Sequence, residues 1–185
     1  MLLRVMTIVI EGYVEQQKLA TVLRTVVGAS AWRGAEVRVV AGRRQRWDMV
    51  YEAEDGGTVA VEFDGPEHYR NSLKIKADRE KDEMASRANV RIVRFPYWVQ
   101  LTSETLLHYF GREARVVQSF AHGFITTKLF PASFCELGVE RFVRELDELP
   151  GSVRSSVIAS LRHRTEEYGI EYVMPQELRL LLATA

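Results

Sequence analysis

Thr58-Val-Ala-Val-Glu-Phe-Asp-Gly-Pro-Glu-His-Tyr69 is the stretch on which the reading of this chain turns. Its first half alternates apolar and polar residues and then breaks at Gly65-Pro66. Side chains alternate across a strand, so Val59, Val61 and Phe63 face one side while Ala60, Glu62 and Asp64 face the other. A rise of ~3.3 Å per residue sets the two carboxylates about 7 Å apart on one face. Like charges held that close repel, and a divalent cation bound by oxygen ligands is the usual remedy.

The residues upstream supply a partner strand. Arg46 to Ala53 alternates in the same way, and Glu54-Asp55-Gly56-Gly57 is a hairpin turn signal. Burying Trp47, Met49, Tyr51 and Ala53 on the face of Val59, Val61 and Phe63 selects a register that pairs Asp48 with Asp64 and Val50 with Glu62. A one-residue slip would send the acids to opposite faces. Asp48, Glu62 and Asp64 then cluster on one side of one hairpin and form the expected metal-ligand set. Acids on the solvated face of a hairpin are also common without any function, so the neighbouring residues carry weight.

The chain has 185 residues, 46% hydrophobic and 27% charged, with 25 basic and 25 acidic side chains. That reads as a soluble globular chain whose bulk charge excludes a strongly basic nucleic-acid-binding domain, so any such surface has to be local. The single cysteine, Cys135, excludes an internal disulfide framework and a Cys-rich zinc site, and it fits a reducing compartment. The apolar run in residues 1–10 is short and interrupted by Arg4, and no stretch reaches the length of a membrane span. A cytoplasmic location without a membrane partner is expected.

Residues 2–10 read as a strand, 13–27 as a helix stopped by Gly28, and 36–41 as a further strand turning at Gly42. Arg43, Arg44 and Arg46 precede Asp48 and suit phosphate contacts, since a guanidinium binds phosphate oxygens bidentately. Asn71 or Ser72 caps a helix to about Ala88, with charge pairs Lys74–Asp78, Lys76–Glu80 and Glu83–Arg87 on a solvated face. Val90–Phe95 is a strand ended by Pro96, and strand, helix and strand in this order imply a parallel pair. Further on, 103–110 reads as a helix, 116–120 as a strand, 122–123 and 130–131 as loops, and 139–148, 151–168 and 175–182 as helices. The expected organisation is an α/β core over residues 1–102, a central mixed sheet flanked by helices, with a mainly helical region over 103–185 and no catalytic constellation there.

A helix, a three-stranded meander, a helix and a strand, with Asp48, Val59-Ala-Val-Glu-Phe-Asp-Gly-Pro-Glu-His68, Asp78-Arg79 and Ile92-Val-Arg94 in this order, resembles the PD-(D/E)xK nuclease superfamily. Within it the motifs are similar to the branch related to very-short-patch repair endonucleases, over roughly residues 13–100. The resemblance implies a restriction-endonuclease-like fold and a DNA endonuclease that uses Mg²⁺ or Mn²⁺, with Asp48 and Glu62 as metal ligands. Asp64 stands where most members carry lysine, so water activation would pass to Lys74 or Lys76, or to His68 as base. Histidine exchanges protons near neutral pH. Trp32, Tyr97 and Trp98 are available for stacking on bases, with core packing as the alternative for each. Rival expectations are a catalytically inactive nucleic-acid-binding or protein-interaction domain on the same fold, and a nuclease acting on RNA. Monomer and homodimer are both open.

Overall fold

A computed structural model describes residues 6–40, 42 and 44–183 of the chain. The alternating stretch forms β4 (Thr58–Asp64), and the hairpin upstream of it joins β3 (Trp47–Glu52) to β4 in antiparallel register. Preceding them are β1 (Thr7–Ile10), α1 (Gln16–Val27) and β2 (Trp32–Val37), which pairs antiparallel with β3. A short helix α2 (Glu67–Arg70) and the long α3 (Ser72–Arg87) then lead to β5 (Val90–Pro96), which lies parallel to β4. The result is an α/β fold built on a four-stranded mixed sheet of order β2-β3-β4-β5. α4 (Ser103–Phe110) precedes β6 (Arg115–Gln118), and β6 pairs parallel with β1 in a separate two-stranded sheet. The remaining helices are α5 (Gly123–Thr127), α6 (Glu136–Glu148), α7 (Gly151–Tyr168), α8 (Ile170–Val173) and α9 (Leu180–Ala183).

The hairpin register differs from the sequence expectation by two residues. The ladder runs Met49↔Val61, Val50↔Ala60, Tyr51↔Val59 and Glu52↔Thr58, so its continuation sets Asp48 opposite Glu62 rather than Asp64. The cause is a longer turn, Ala53 to Gly57, closed by Ala53 N–H donating to Gly57 C=O at 2.8 Å and by Asp55 Oδ1 accepting from Gly57 N–H at 2.9 Å. A slip of two preserves parity, so Met49, Tyr51, Val59 and Val61 share the expected face, but Trp47, expected among them, packs on the other face with Val50 and Ala60. The strand expected at 36–41 lies earlier, at Trp32–Val37, with a register shift between Trp32 and Gly34 and Glu36 in the left-handed region at φ 53°. Ala41, within that expected strand, lies outside the described residues.

Both sheet faces are covered, which overturns the solvated acid face. Met49, Tyr51, Val59, Val61, Val93 and Phe95 enter the main core together with α1 and the helices after β5. On the other face Trp47, Val50 and Ala60 pack with Ala85 of α3 and with Val90. α3 is capped by Asn71, whose Oδ1 accepts from Leu73 N–H at 3.0 Å and Lys74 N–H at 3.3 Å. Its expected charge ladder is only partly present: Glu83–Arg87 pair at 3.3 Å, whereas Asp78 turns inward and is buried. In the C-terminal region the segments expected as loops hold α5 and a turn of 3₁₀ helix at Pro131–Ser133. The last expected helix is broken into the 3₁₀ turn Gln176–Leu178 and α9. No helix among the described residues is long and apolar enough to cross a membrane.

α6 is anchored on α2 by a close backbone approach. Gly138, Arg141, Phe142 and Leu146 form its buried stripe. A Cβ on Gly138 would lie 1.8 Å from the carbonyl oxygen of Tyr69, which already accepts the Cys135 N–H at 3.1 Å. Only a residue without a side chain allows the helix so near, and one turn later it delivers Arg141. Gly138→Ala is therefore expected to cost about 3 kcal/mol through overpacking in the core, measured by urea unfolding. Gly151→Ala, where nothing lies within 4 Å of the added methyl, is the control and should leave stability unchanged or slightly raised.

Candidate active site

Asp48 and Glu62 lie on the two central strands of the sheet, on the side of α3. Asp48 Oδ2 accepts the Phe63 N–H at 2.8 Å, which ties this carboxylate to the neighbouring strand. Glu62 is buried, and its Oε1 accepts from Lys81 Nζ at 2.6 Å. Lys81 comes from α3 and also stands 5.0 Å from the centre of the Trp47 ring. Burial, reinforced by the charge of Asp48, pushes Glu62 up to about 7 against the lowering pull of Lys81 and Arg94. Burial likewise raises Asp48, opposed by the Phe63 amide and by Lys81. Asp48 is thus close enough to disfavour the ionised form of Glu62, and one lysine does not cancel the effect of burial and that charge.

A deeper cluster lies alongside. Parallel pairing of β4 and β5 sets Glu62 beside Arg94, so the arginine shares the face of the acids. Arg94 Nη1 reaches Asp64 Oδ1 at 2.9 Å, while its Nε and Nη2 bind Asp82 at 2.9 and 2.7 Å. Arg141 of α6 donates through Nη2 to Asp64 Oδ2 and through Nη1 to Asp78 Oδ2 at 3.3 Å. Its Nε donates to Glu145 Oε1 at 2.7 Å, and Glu145 Oε2 accepts from Tyr69 O–H at 2.5 Å. His68 Nδ1 lies 2.6 Å from Asp78 Oδ2 and 3.1 Å from Asp64 Oδ1. Burial acts to raise Asp78, but the His68 hydrogen bond and the charges of Arg94 and Arg141 prevail and hold it below its ordinary value.

Among the described residues, Asp64, His68 and Asp78 offer donor atoms all within 4.8 Å of one another and could hold a metal ion. An ion there would compete with both guanidinium groups already on Asp64 and with the Asp78–His68 bond. The expected trio of Asp48, Glu62 and Asp64 is not such a set. Asp64 is fully buried, and Arg94 and Arg141 take its oxygens. Asp48 and Glu62 also offer carboxylate oxygens: Asp48 Oδ1 and Glu62 Oε2 have no hydrogen-bond partner among the described residues, while Lys81 holds Glu62 Oε1.

A groove of about 710 Å³ lies between α3 and the residues Val40, Gln45 and Arg46, and it is also lined by Lys74, Asp78, Lys81 and Arg87. Arg44 is exposed, and Arg43 lies outside the described residues. Lys74 and Lys76 are exposed on α3, and neither is hydrogen-bonded or ion-paired to the acids. Lys81, one to two turns further along, is the lysine that reaches Glu62. Tyr97 and Trp98 are buried in the aromatic core and are not free to stack on bases, while Trp32 is half-buried. Lys81, Arg141 and Glu145 were not anticipated from the sequence. The available signal for Arg141 is a cation set in the apolar stripe of Gly138, Phe142 and Leu146.

The raised Glu62 makes stability pH-dependent in a defined direction. A carboxyl whose folded pKa lies above its unfolded value contributes stability that is present below the unfolded pKa and lost as pH rises through the folded one. Between about 4.5 and about 7 the chain should lose on the order of 3 kcal/mol through Glu62. Urea unfolding at pH 5 and pH 8 in EDTA measures it, and Glu62→Gln should remove this part of the slope. Added Mg²⁺ should flatten the wild-type slope, because a cation beside Asp48 and Glu62 favours the ionised pair.

Set against protein-family models, curated proteins and solved structures, the chain finds no match, and the reading of the centre rests on its own geometry.

Proposed function

We propose that the chain is a divalent-metal-dependent endonuclease with a restriction-endonuclease-like core, cutting phosphodiester bonds in DNA. The observation that carries this reading is the meeting of Asp48 and Glu62 from neighbouring strands with Lys81 on Glu62. Two carboxylates on adjacent central strands and a lysine beside them are the chemical parts that the superfamily resemblance requires. The lysine here comes from α3 instead of position 64.

Asp48 and Glu62 would hold the ion, Mg²⁺ or Mn²⁺, which supplies a bound water of lowered pKa and offsets charge on the phosphate. Lys81, fixed by Glu62 on one side and the Trp47 ring on the other, places a positive charge where negative charge develops on the phosphate oxygens. The Asp78 bond makes Nδ1 the protonated nitrogen of His68, so Nε2 carries the lone pair and takes a proton from water. Asp64 is not a water activator in this scheme, because it is sealed from solvent and anchors Arg94 and Arg141. Arg46, Lys74 and Arg87 along the groove neutralise the backbone phosphates, with Arg44 close by in sequence.

A second reading has its own support. Glu62 is ion-paired with Lys81, and Asp64 stands in the usual lysine position fully satisfied by arginines, as suits a nuclease fold that binds nucleic acid without cutting it. Plasmid cleavage separates the two. The wild type should nick or cut DNA with Mg²⁺ and not with EDTA, and Asp48→Asn, Glu62→Gln and Lys81→Ala should each lower the rate about 10²-fold or more. Equal rates for wild type and Glu62→Gln would remove the metal assignment. Salt-sensitive DNA binding without Mg²⁺-dependent cleavage would establish the binding module, and RNA competitors test the polymer preference.

A further inference from the structure

The C-terminal region contributes one side chain that touches every component around His68. Arg141 is 4% exposed and uses all three guanidinium nitrogens. Nη2 binds Asp64, Nη1 binds both Asp78 Oδ2 and the peptide carbonyl of His68 at 3.3 Å each, and Nε binds Glu145. The guanidinium plane lies over the Tyr69 ring with its carbon 4.8 Å from the ring centre. Tyr69 in turn donates to Glu145, closing a ring of contacts between α2 and α6.

We propose that Arg141 is a positioning residue for His68: from α6 it fixes the Asp78 carboxylate and the His68 backbone so that Nδ1 stays hydrogen-bonded and Nε2 alone is left for proton exchange. The proposal rests on the nuclease reading above and extends it to a region that the sequence analysis left without a role.

The geometry explains why arginine is needed. A single donor could neutralise Asp64 or Asp78, but holding two carboxylates, a peptide oxygen and Glu145 together takes the planar fork of a guanidinium. The carboxylate of Asp78 has two competing claims, from His68 Nδ1 and from Arg141 Nη1, both on Oδ2. With Arg141 in place that oxygen is fixed relative to the His68 peptide, since one nitrogen of Arg141 binds both. Without it, Asp78 could turn toward Arg94, whose Nη2 stands 3.7 Å from Asp78 Oδ1. His68 would then lose its shorter bond and keep only the contact of Nδ1 with Asp64 Oδ1 at 3.1 Å, itself freed from Arg141 on the other oxygen.

Two readouts test this together: the ¹⁵N–¹H correlations of the His68 ring, recorded in EDTA, and kcat and KM for DNA cleavage with Mg²⁺. The wild type should show the Nδ1–H tautomer. In Arg141→Met the tautomers should mix, and kcat should fall about 10²-fold with KM nearly unchanged, as for a misplaced catalytic group. Arg141→Lys, which restores charge but not the fork, should recover only part of kcat. Should Arg141→Met fail to fold, Arg141→Lys serves instead, because an ammonium cannot reproduce the fork that binds Asp78 and the His68 carbonyl together. A folded Arg141→Met or Arg141→Lys with wild-type tautomer and kcat overturns the proposal. A wild type that does not cut DNA overturns the nuclease reading, and the tautomer signal then decides the positioning role by itself.

Discussion

Beneath α3 and against α6 the fold gathers Asp48, Glu62, Asp64, Asp78, Asp82 and Glu145, and the energetics of this region follow from the need to offset their charge. Lys81, Arg94 and Arg141 are the permanent cations among them. Removing carboxylates from water costs several kcal/mol each unless they are paired and hydrogen-bonded. That requirement constrains which elements can lie where. β5 has to run parallel to β4 in the observed register for Arg94 to reach Asp64. α3 has to lie with Asp78 and Lys81 inward, and α6 has to approach as closely as Gly138 permits for Arg141 to complete the set. Ion pairs of this kind are weak sources of net stability, but a wrong arrangement strands a buried charge, and so they specify the geometry.

The same logic shows what the sequence could reveal. The face on which Asp48, Glu62 and Asp64 lie was legible because the alternation of Met49 and Tyr51 with that of β4 fixes parity. Parity survives the two-residue difference in register, although Trp47 departs from it and packs on the face of Val50. The register itself was not, since it depends on a turn of five residues whose closure at Gly57 is set by an Asp55 side chain. β2 was misplaced because Glu36-Val-Arg-Val-Val40 is richer in β-branched residues than Trp32–Val37, and the strand is broken by a register shift near Gly34. The helix after Asn71 and the strand before Pro96 were legible from their caps and ends.

Lys81 and Arg141 were hidden for different reasons. α3 is dense in charges of both signs, and the i,i+4 pairs that fit a solvated face also fit Asp78 and Lys81, so pattern alone does not show which residues turn inward. Their direction is decided by Ile75 and Ala85, the apolar residues of the same buried face. Arg141 lies 77 residues from Asp64, and no local pattern connects them. A basic residue within an apolar helical stripe signals a buried acid somewhere, without naming it. That is the limit of a periodicity argument, which assigns faces but not partners across the chain.

Charge balance differs between the two halves of the centre, and the difference bears on chemistry. Asp64 and Asp78 are each gripped by Arg94 and Arg141, and Asp78 is held below its ordinary pKa in spite of burial. Glu62 is in the opposite state: burial and Asp48 raise it even with Lys81 at 2.6 Å. Asp64 and Asp78 are therefore compensated by cations of the chain, while Glu62 beside Asp48 is held less firmly in its ionised form. A protein whose acids served stability alone would gain by satisfying that pair as thoroughly as it satisfies Asp64. A raised carboxyl is where an added cation would relieve most charge, which is what the proposed function asks of Asp48 and Glu62. Arg94 and Arg141 already occupy the oxygens of Asp64, so an ion bound there would have to displace them.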